Sequence, residues 1–261
     1  MTREVFVHSE VEDGICHVRL DRPDRLNAVS EELYADLEAV LEGVAGYPTV
    51  RAIVLTGEGR AFCAGADLKA HADRTRTPAE RRAYVWAGQR ICRFLQQMPQ
   101  PVVAGVHGHA IGAGAEIAWS ADVVIAAEDV QFRLPEIGLG TFVGGGVVQR
   151  LPLLVGHLRA KQLLLLGRPV SGVQAAAWGL ATEAVASERV QERAVEVARE
   201  LADQPARPLR LAKQALNRAG ALTPDEALTY EAESLLECMG TDDWERGVQT
   251  FTDDRGDREG R

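Results

Sequence analysis

The stretch from Gly105 to Gly146, GVHGHAIGAGAEIAWSADVVIAAEDVQFRLPEIGLGTFVGGG, constrains the chain more than any other. It holds two glutamates, Glu116 and Glu136, each in a glycine-punctuated turn beside an apolar strand. Gly108, Ala110, Gly112, Ala113, Gly114 and Ala115 crowd the N-terminal side of Glu116. Residues this small fill a core poorly but let backbone N–H groups come close to a ligand. A helix is expected over Gly112 to Ser120, with its free N–H groups and positive dipole end facing an anion or a developing negative charge. That is an oxyanion hole in outline. Both carboxylates lie among apolar and small residues, AGAEIAW and RLPEIGL, where an ionised group needs a partner or a raised pKa. An acid/base pair and a structural pair are equally open from these residues alone.

The flanking sequence predicts the scaffold. EVFVHSEV and ICHVRL alternate around Asp13-Gly14 and read as a hairpin over residues 4 to 20. DRPDRLNA, residues 21 to 28, is a loop, and Ser30 caps a helix with Leu33, Leu37, Val40, Leu41 and Val44 at helical spacing. The strand VRAIVLTG at 50 to 57 breaks into the small-residue loop GEGRAFCAGADLK. Taken alone, that loop is an ordinary strand-to-helix connection. Paired with the second glycine turn, it has a functional reading in which the Ala66 amide and one near Ala113 aim at a single carbonyl oxygen.

Thr77-Pro78-Ala79-Glu80 is a capping box that starts a helix ended by Pro99 and Pro101. PVVAGV and DVVIAA are short unbroken apolar runs, as in a sheet covered on both faces. Strand, turn, helix and strand recur from residue 50 to about 133, so the class is α/β, either a right-handed ββα spiral or a doubly wound sheet. Past Gly146 come short helices in VVQRLPLLVG and HLRAKQLLLLG, a capped one from Ser171 to Trp178, and a last strand, TEAVA. Only helices are expected from Ser187, the last over 242 to 252, followed by a charged, frayed tail. Residues 1–190 are assigned to the core and 191–261 to a helical region.

The formal charge, 29 − 38 = −9, disfavours nucleic acid and anionic membrane as partners. No leader and no 18-residue apolar run is visible, so a cytoplasmic location is expected. Cys16, Cys63, Cys92 and Cys238 lack disulfide or zinc spacing, and His107 and His109 have no third ligand, so no metal is expected. Nucleophile-elbow, P-loop and dinucleotide fingerprints are missing. Arginines 74, 76, 81, 82, 90 and 93 form either a solvated helix face or a landing area for a phosphate-bearing ligand.

In this order, DRPDRLNA, RAFCAGADLK, VHGHAIGAGAEIAWSAD, QFRLPEIGLG and GGGVVQRL resemble the crotonase family of acyl-CoA enzymes, in particular its enoyl-CoA hydratase branch, from about residue 4 to about 252. The resemblance implies a spiral of ββα turns and a C-terminal helical region used to form trimers or dimers of trimers. It maps the oxyanion hole to the N–H groups of Ala66 and Ala113 and the catalytic carboxylates to Glu116 and Glu136. Ala64, Asp67, Leu68, Lys69 and Pro135 would border the acyl-CoA channel, with Arg25, Leu26 and Ala28 toward the nucleotide end. Isomerising sub-branches commonly keep only the second glutamate, so the presence of both implies hydration of a 2-enoyl-CoA, with coenzyme A as part of the substrate and no separate cofactor. Isomerisation, thioester hydrolysis and a non-enzymatic RNA-binding role are the alternatives. Ala113 stands where the family commonly has glycine, and TDDRGDREGR follows Phe251 where many relatives have a lysine-rich end.

Overall fold

The computed structural model describes residues 4–73 and 76–259, with side chains through residue 253 except at positions 71 and 73. Arg74 of the basic cluster lies outside the described residues. The chain opens with the expected hairpin, β1 (Val7–Glu12) and β2 (Ile15–Leu20), turning at Asp13 and Gly14 with φ of +49° and +78°. A short 3-10 turn, Pro23–Arg25, interrupts the loop before α1 (Glu31–Ala45), which Ser30 caps through Leu33 N–H. Then come β3 (Ala52–Gly57), α2 (Leu68–Asp73), and α3 (Pro78–Gln97) with its capping box formed by Thr77 and Glu80. The glycine-rich stretch folds as β4 (Val102–Val106), β5 (His109–Ile111), α4 (Ala113–Ala118), β6 (Val123–Ala127), β7 (Gln131–Arg133) and a 3-10 turn, Glu136–Leu139.

After it follow α5 (Val147–Leu166), β8 (Val170–Ser171), α6 (Gly172–Trp178), β9 (Glu183–Val185), α7 (Val190–Ala202), α8 (Ala206–Arg218), α9 (Pro224–Met239) and α10 (Asp242–Glu259). The two helices expected after Gly146 run on as α5 with a kink at Gly156, where φ is +77°. Helix α4 is shorter than expected, and α10 runs to Glu259 where a frayed tail was expected beyond 252.

Six strands form one sheet in the order β1-β2-β3-β4-β6-β9, parallel except for the first pair, and β5, β7 and β8 form a second. From β4 the chain alternates between the sheets, β4 then β5 and β6 then β7, before β8 adds a third strand to the small sheet and β9 the last to the large one. This is the spiral of the two architectures the sequence left open. The two unbroken apolar runs are β4 and β6, and every residue of β4 and all of β6 but the half-buried Val123 are buried. Helix α7 covers β3, β4 and β6, and Gly105 lets it in, since a Cβ there would stand 3.4 Å from both Ala194 and Val190.

Two compact units result, one ending at Asp203 and one beginning at Gln204, so α7 belongs with the sheet it covers. In the second unit α8 packs on α9 and α9 on α10. No described helix is long and apolar enough to cross a membrane.

Candidate active site

The two loops singled out by their small residues are in van der Waals contact. Gly65 has a φ of +86°, and a Cβ there would stand 2.4 Å from Ile111 O and 3.6 Å from the Ala113 nitrogen. Gly114 is pressed on the same loop, its absent Cβ 2.1 Å from Cys63 O. Only residues without a side chain let these backbones approach so far. Asn27, fully buried, closes the region from the other side: its side chain donates to Glu58 O and Ala61 O and accepts from Arg22 N–H.

The direction of the Ala66 amide follows from the hydrogen bonds on either side of it. Val29 N–H donates to Gly65 O at 2.7 Å, and Asp67 N–H donates to Val29 O at 3.1 Å. In such a parallel bridge the middle residue turns its own N–H away, and the Ala66 N–H enters no hydrogen bond among the described residues. Ala113 is the first residue of α4, whose first internal bond runs from Glu116 N–H to Gly112 O, so the Ala113 N–H is also left over. Two free amides thus lie next to each other on adjoining loops.

Beside them are the carboxylates. Glu116, on α4, is 8% exposed, and its Oε1 accepts Gly144 N–H at 2.5 Å. Burial first, and then the charge of Glu136, raises the Glu116 carboxyl to about 7, against the lowering effect of Gly144 N–H and Arg150. Glu136 opens the 3-10 turn after Pro135 and lies against Gly112, where a Cβ would be 2.5 Å from Glu136 Oε1. Burial raises its pKa too, and its Oε2 is buried with no partner. A buried carboxylate oxygen with nothing to bond is expensive, and a bound ligand or water would satisfy it.

The remaining candidates separate. Ala64 and Ala66 are half-buried, Leu68 and Lys69 exposed. Asp67 is buried and committed: its carboxylate takes Arg22 Nη1 at 2.7 Å and Ala70 N–H at 3.0 Å. Burial pulls its pKa up, but these two bonds outweigh it and hold the carboxyl below its usual range. Arg25 is exposed, Leu26 accepts Ala64 N–H through its carbonyl, and Ala28 is buried. Within the basic cluster, Arg76 is ion-paired with Glu31 and stacked on Tyr84, and Arg90 takes both oxygens of Glu38. Those two arginines join α3 and the turn before it to α1 rather than facing a ligand. Gln89, Gly144 and Arg150, which surround Glu116, were not singled out from the sequence, because only the return of α5 to α3 and α4 brings them there.

The family model for enoyl-CoA hydratase/isomerase matches residues 10–258. The chain belongs to the enoyl-CoA hydratase/isomerase family. Among curated relatives in this family, it is 37% identical to the 1,2-epoxyphenylacetyl-CoA isomerase of Escherichia coli, over 94% of this chain and 95% of that one. It is 33% identical to the short-chain-enoyl-CoA hydratase of Clostridium acetobutylicum, over 94% of each. Of solved structures, the enoyl-CoA hydratase from Bacillus anthracis superposes with a TM-score of 0.90 at 31% identity, covering 95% of this chain and 96% of that one. The expected crotonase spiral is therefore the fold, and the family places the chain among enzymes that act on acyl-CoA.

Proposed function

We propose that the chain is an enoyl-CoA hydratase that adds water to a 2-enoyl-CoA in the syn sense and gives the 3-hydroxyacyl-CoA. The observation that carries this reading is the pair of carboxylates, Glu116 buried and Glu136 half-buried, both raised in pKa and set beside two unbonded amides. The Ala66 and Ala113 N–H groups receive the thioester oxygen, which gains charge as the enolate forms; such donors are worth roughly 3 to 4 kcal/mol each. Both carboxylates hold the water, Glu116 takes its proton as it attacks C3, and Glu136 delivers a proton to C2. The proton taken from water by one carboxylate and the proton given by the other balance the addition.

Coenzyme A enters as part of the substrate, with no further cofactor, and the working form is a trimer or a dimer of trimers. The test is turnover of crotonyl-CoA and longer enoyl-CoAs by the purified protein, followed as loss of the enoyl thioester absorbance. No turnover at any chain length sinks the proposal.

Double-bond isomerisation is the second reading, since the family whose model matches the chain takes in isomerases as well as hydratases. A 3-enoyl-CoA separates the two, since an isomerase converts it to the 2-enoyl-CoA and a hydratase alone does not.

A further inference from the structure

The Gly144 N–H, on the peptide that follows Val143, supplies the hydrogen bond to Glu116, yet neither Gly144 nor Gly145 after it has a side chain to hold the turn in place. Gly145, at φ +60°, is packed so closely on Glu116 that a Cβ there would stand 2.7 Å from the Glu116 Cβ. Two helices hold this turn from outside. Gln89 of α3 accepts Gly145 N–H on Oε1 at 3.1 Å, and Arg150 of α5 donates from Nη2 to Gly145 O at 2.8 Å. Arg150 also reaches the end of α4, from Nη1 to Trp119 O at 2.6 Å and from Nη2 to Ser120 Oγ at 3.1 Å. The Ser120 hydroxyl in turn donates to Glu116 O at 2.7 Å. One guanidinium therefore ties together the backbone of Glu116 and the turn that donates to its carboxylate.

We propose that Gln89 and Arg150 are positioning residues, which hold the Gly144 N–H on Glu116 and keep that carboxylate in its ionised, water-activating form. The inference rests on the base role given to Glu116 above. Five titratable or charged groups face Glu116: Glu136 from the 3-10 turn, Arg150 from α5, Cys92 from α3, Cys63 from the loop after β3, and Tyr34 from α1. Burial pushes Cys92 up to about 11, Cys63 up to about 12 and Tyr34 well above its usual range, so these three are neutral near pH 7. Glu136 opposes ionisation of Glu116, as does burial, while the Gly144 N–H and Arg150 favour it. Both favourable influences depend on the clamp. Without it only the raising influences remain, and Glu116 would be protonated at neutral pH.

The test reads the clamp apart from the reaction. In a Glu136→Gln background, isotope-edited infrared titration of the Glu116 carboxyl, assigned by its loss in Glu116→Gln, needs no turnover. Arg150→Met and Gln89→Leu are each expected to raise the titration midpoint by about one unit, and Arg150→Lys, which keeps the charge but not the fork, by less. With Glu136 restored, the acid limb of the kcat/KM profile moves up by a similar amount in each variant, while the alkaline plateau falls by no more than about tenfold. Should Arg150→Met fail to fold, Gln89→Leu decides. An unchanged midpoint in a folded variant overturns the clamp whether or not the chain is a hydratase. A shifted midpoint without turnover of any enoyl-CoA upholds the clamp and removes the hydratase reading.

Discussion

At the scale of single residues, the site holds two carboxyl groups in places that disfavour their charge. Glu136→Gln keeps the shape of the side chain and removes the proton donor, and a drop in kcat of about 10²- to 10⁴-fold is expected in the crotonyl-CoA assay. Glu116 carries a stability consequence of definite sign. Its folded pKa of about 7 lies above the ordinary glutamate value of 4.5 that holds in the unfolded chain, so the folded state binds the extra proton between those values. Stability from this group is fully present below the unfolded pKa and is lost as pH rises through about 7. Glu116→Gln removes the charged form and is expected to unfold at a higher temperature than the parent at pH 8, by an amount equivalent to about 3 kcal/mol at most, with the gap closing toward pH 5. Thermal melts at the two pH values check this; a variant that melts lower at pH 8 contradicts it. Both glutamates were visible in the sequence because an acidic residue among glycines and apolar side chains needs a partner or a raised pKa, although a structural role stayed equally open. Asp67 stands in the other small-residue loop, but its partner is Arg22, and no spacing along the chain announces a pairing between loops.

Elements show how much a glycine means only in its place. Gly114, in α4, faces Cys63 O with no room for a methyl group, and backbone cannot swing aside as a side chain can. Gly114→Ala is expected to cost about 3 kcal/mol or more by overpacking and to push the two amide-bearing loops apart. Gly43, in α1, has nothing within 4 Å of the position a Cβ would take. Gly43→Ala is expected to stabilise the protein by about 0.5 to 1 kcal/mol, through helix propensity alone. Urea unfolding of the two variants measures opposite signs for the same chemical change. Capping boxes at Thr77, Ser171 and Thr223 could be read directly from the sequence, since each is a local pattern of hydroxyl and carboxylate or amide three residues apart. The break at Gly156 was legible too, since that glycine ends the first of the two helices expected after Gly146.

For the whole molecule, the exposed apolar residues point to assembly. Helix α9 has no buried residue, and it leaves Leu228, Leu235, Leu236 and Met239 open, with Trp244, Val248 and Phe251 open on α10. A stripe of this kind on a folded chain marks an interaction surface. Light scattering is expected to give a mass three or six times that of the chain, and Leu235→Glu with Phe251→Asp is expected to lower it; a native chain that stays monomeric at micromolar concentration refutes the assembly. Short of β5, β7, β8 and α2, the sequence by itself determined the class of the fold, the order of strands and helices, and the two loops and two glutamates of the candidate site. These are written in local pattern: alternation, apolar runs, caps and glycines at turns. The residues alone left two architectures open and the resemblance implied the spiral; only the tertiary structure decided that Ala66 and Ala113 leave their amides unbonded on touching loops, and that Gln89 and Arg150 grip the turn that donates to Glu116. Those are contacts between segments far apart in the chain, fixed by how closely backbones can approach once the sheets have formed.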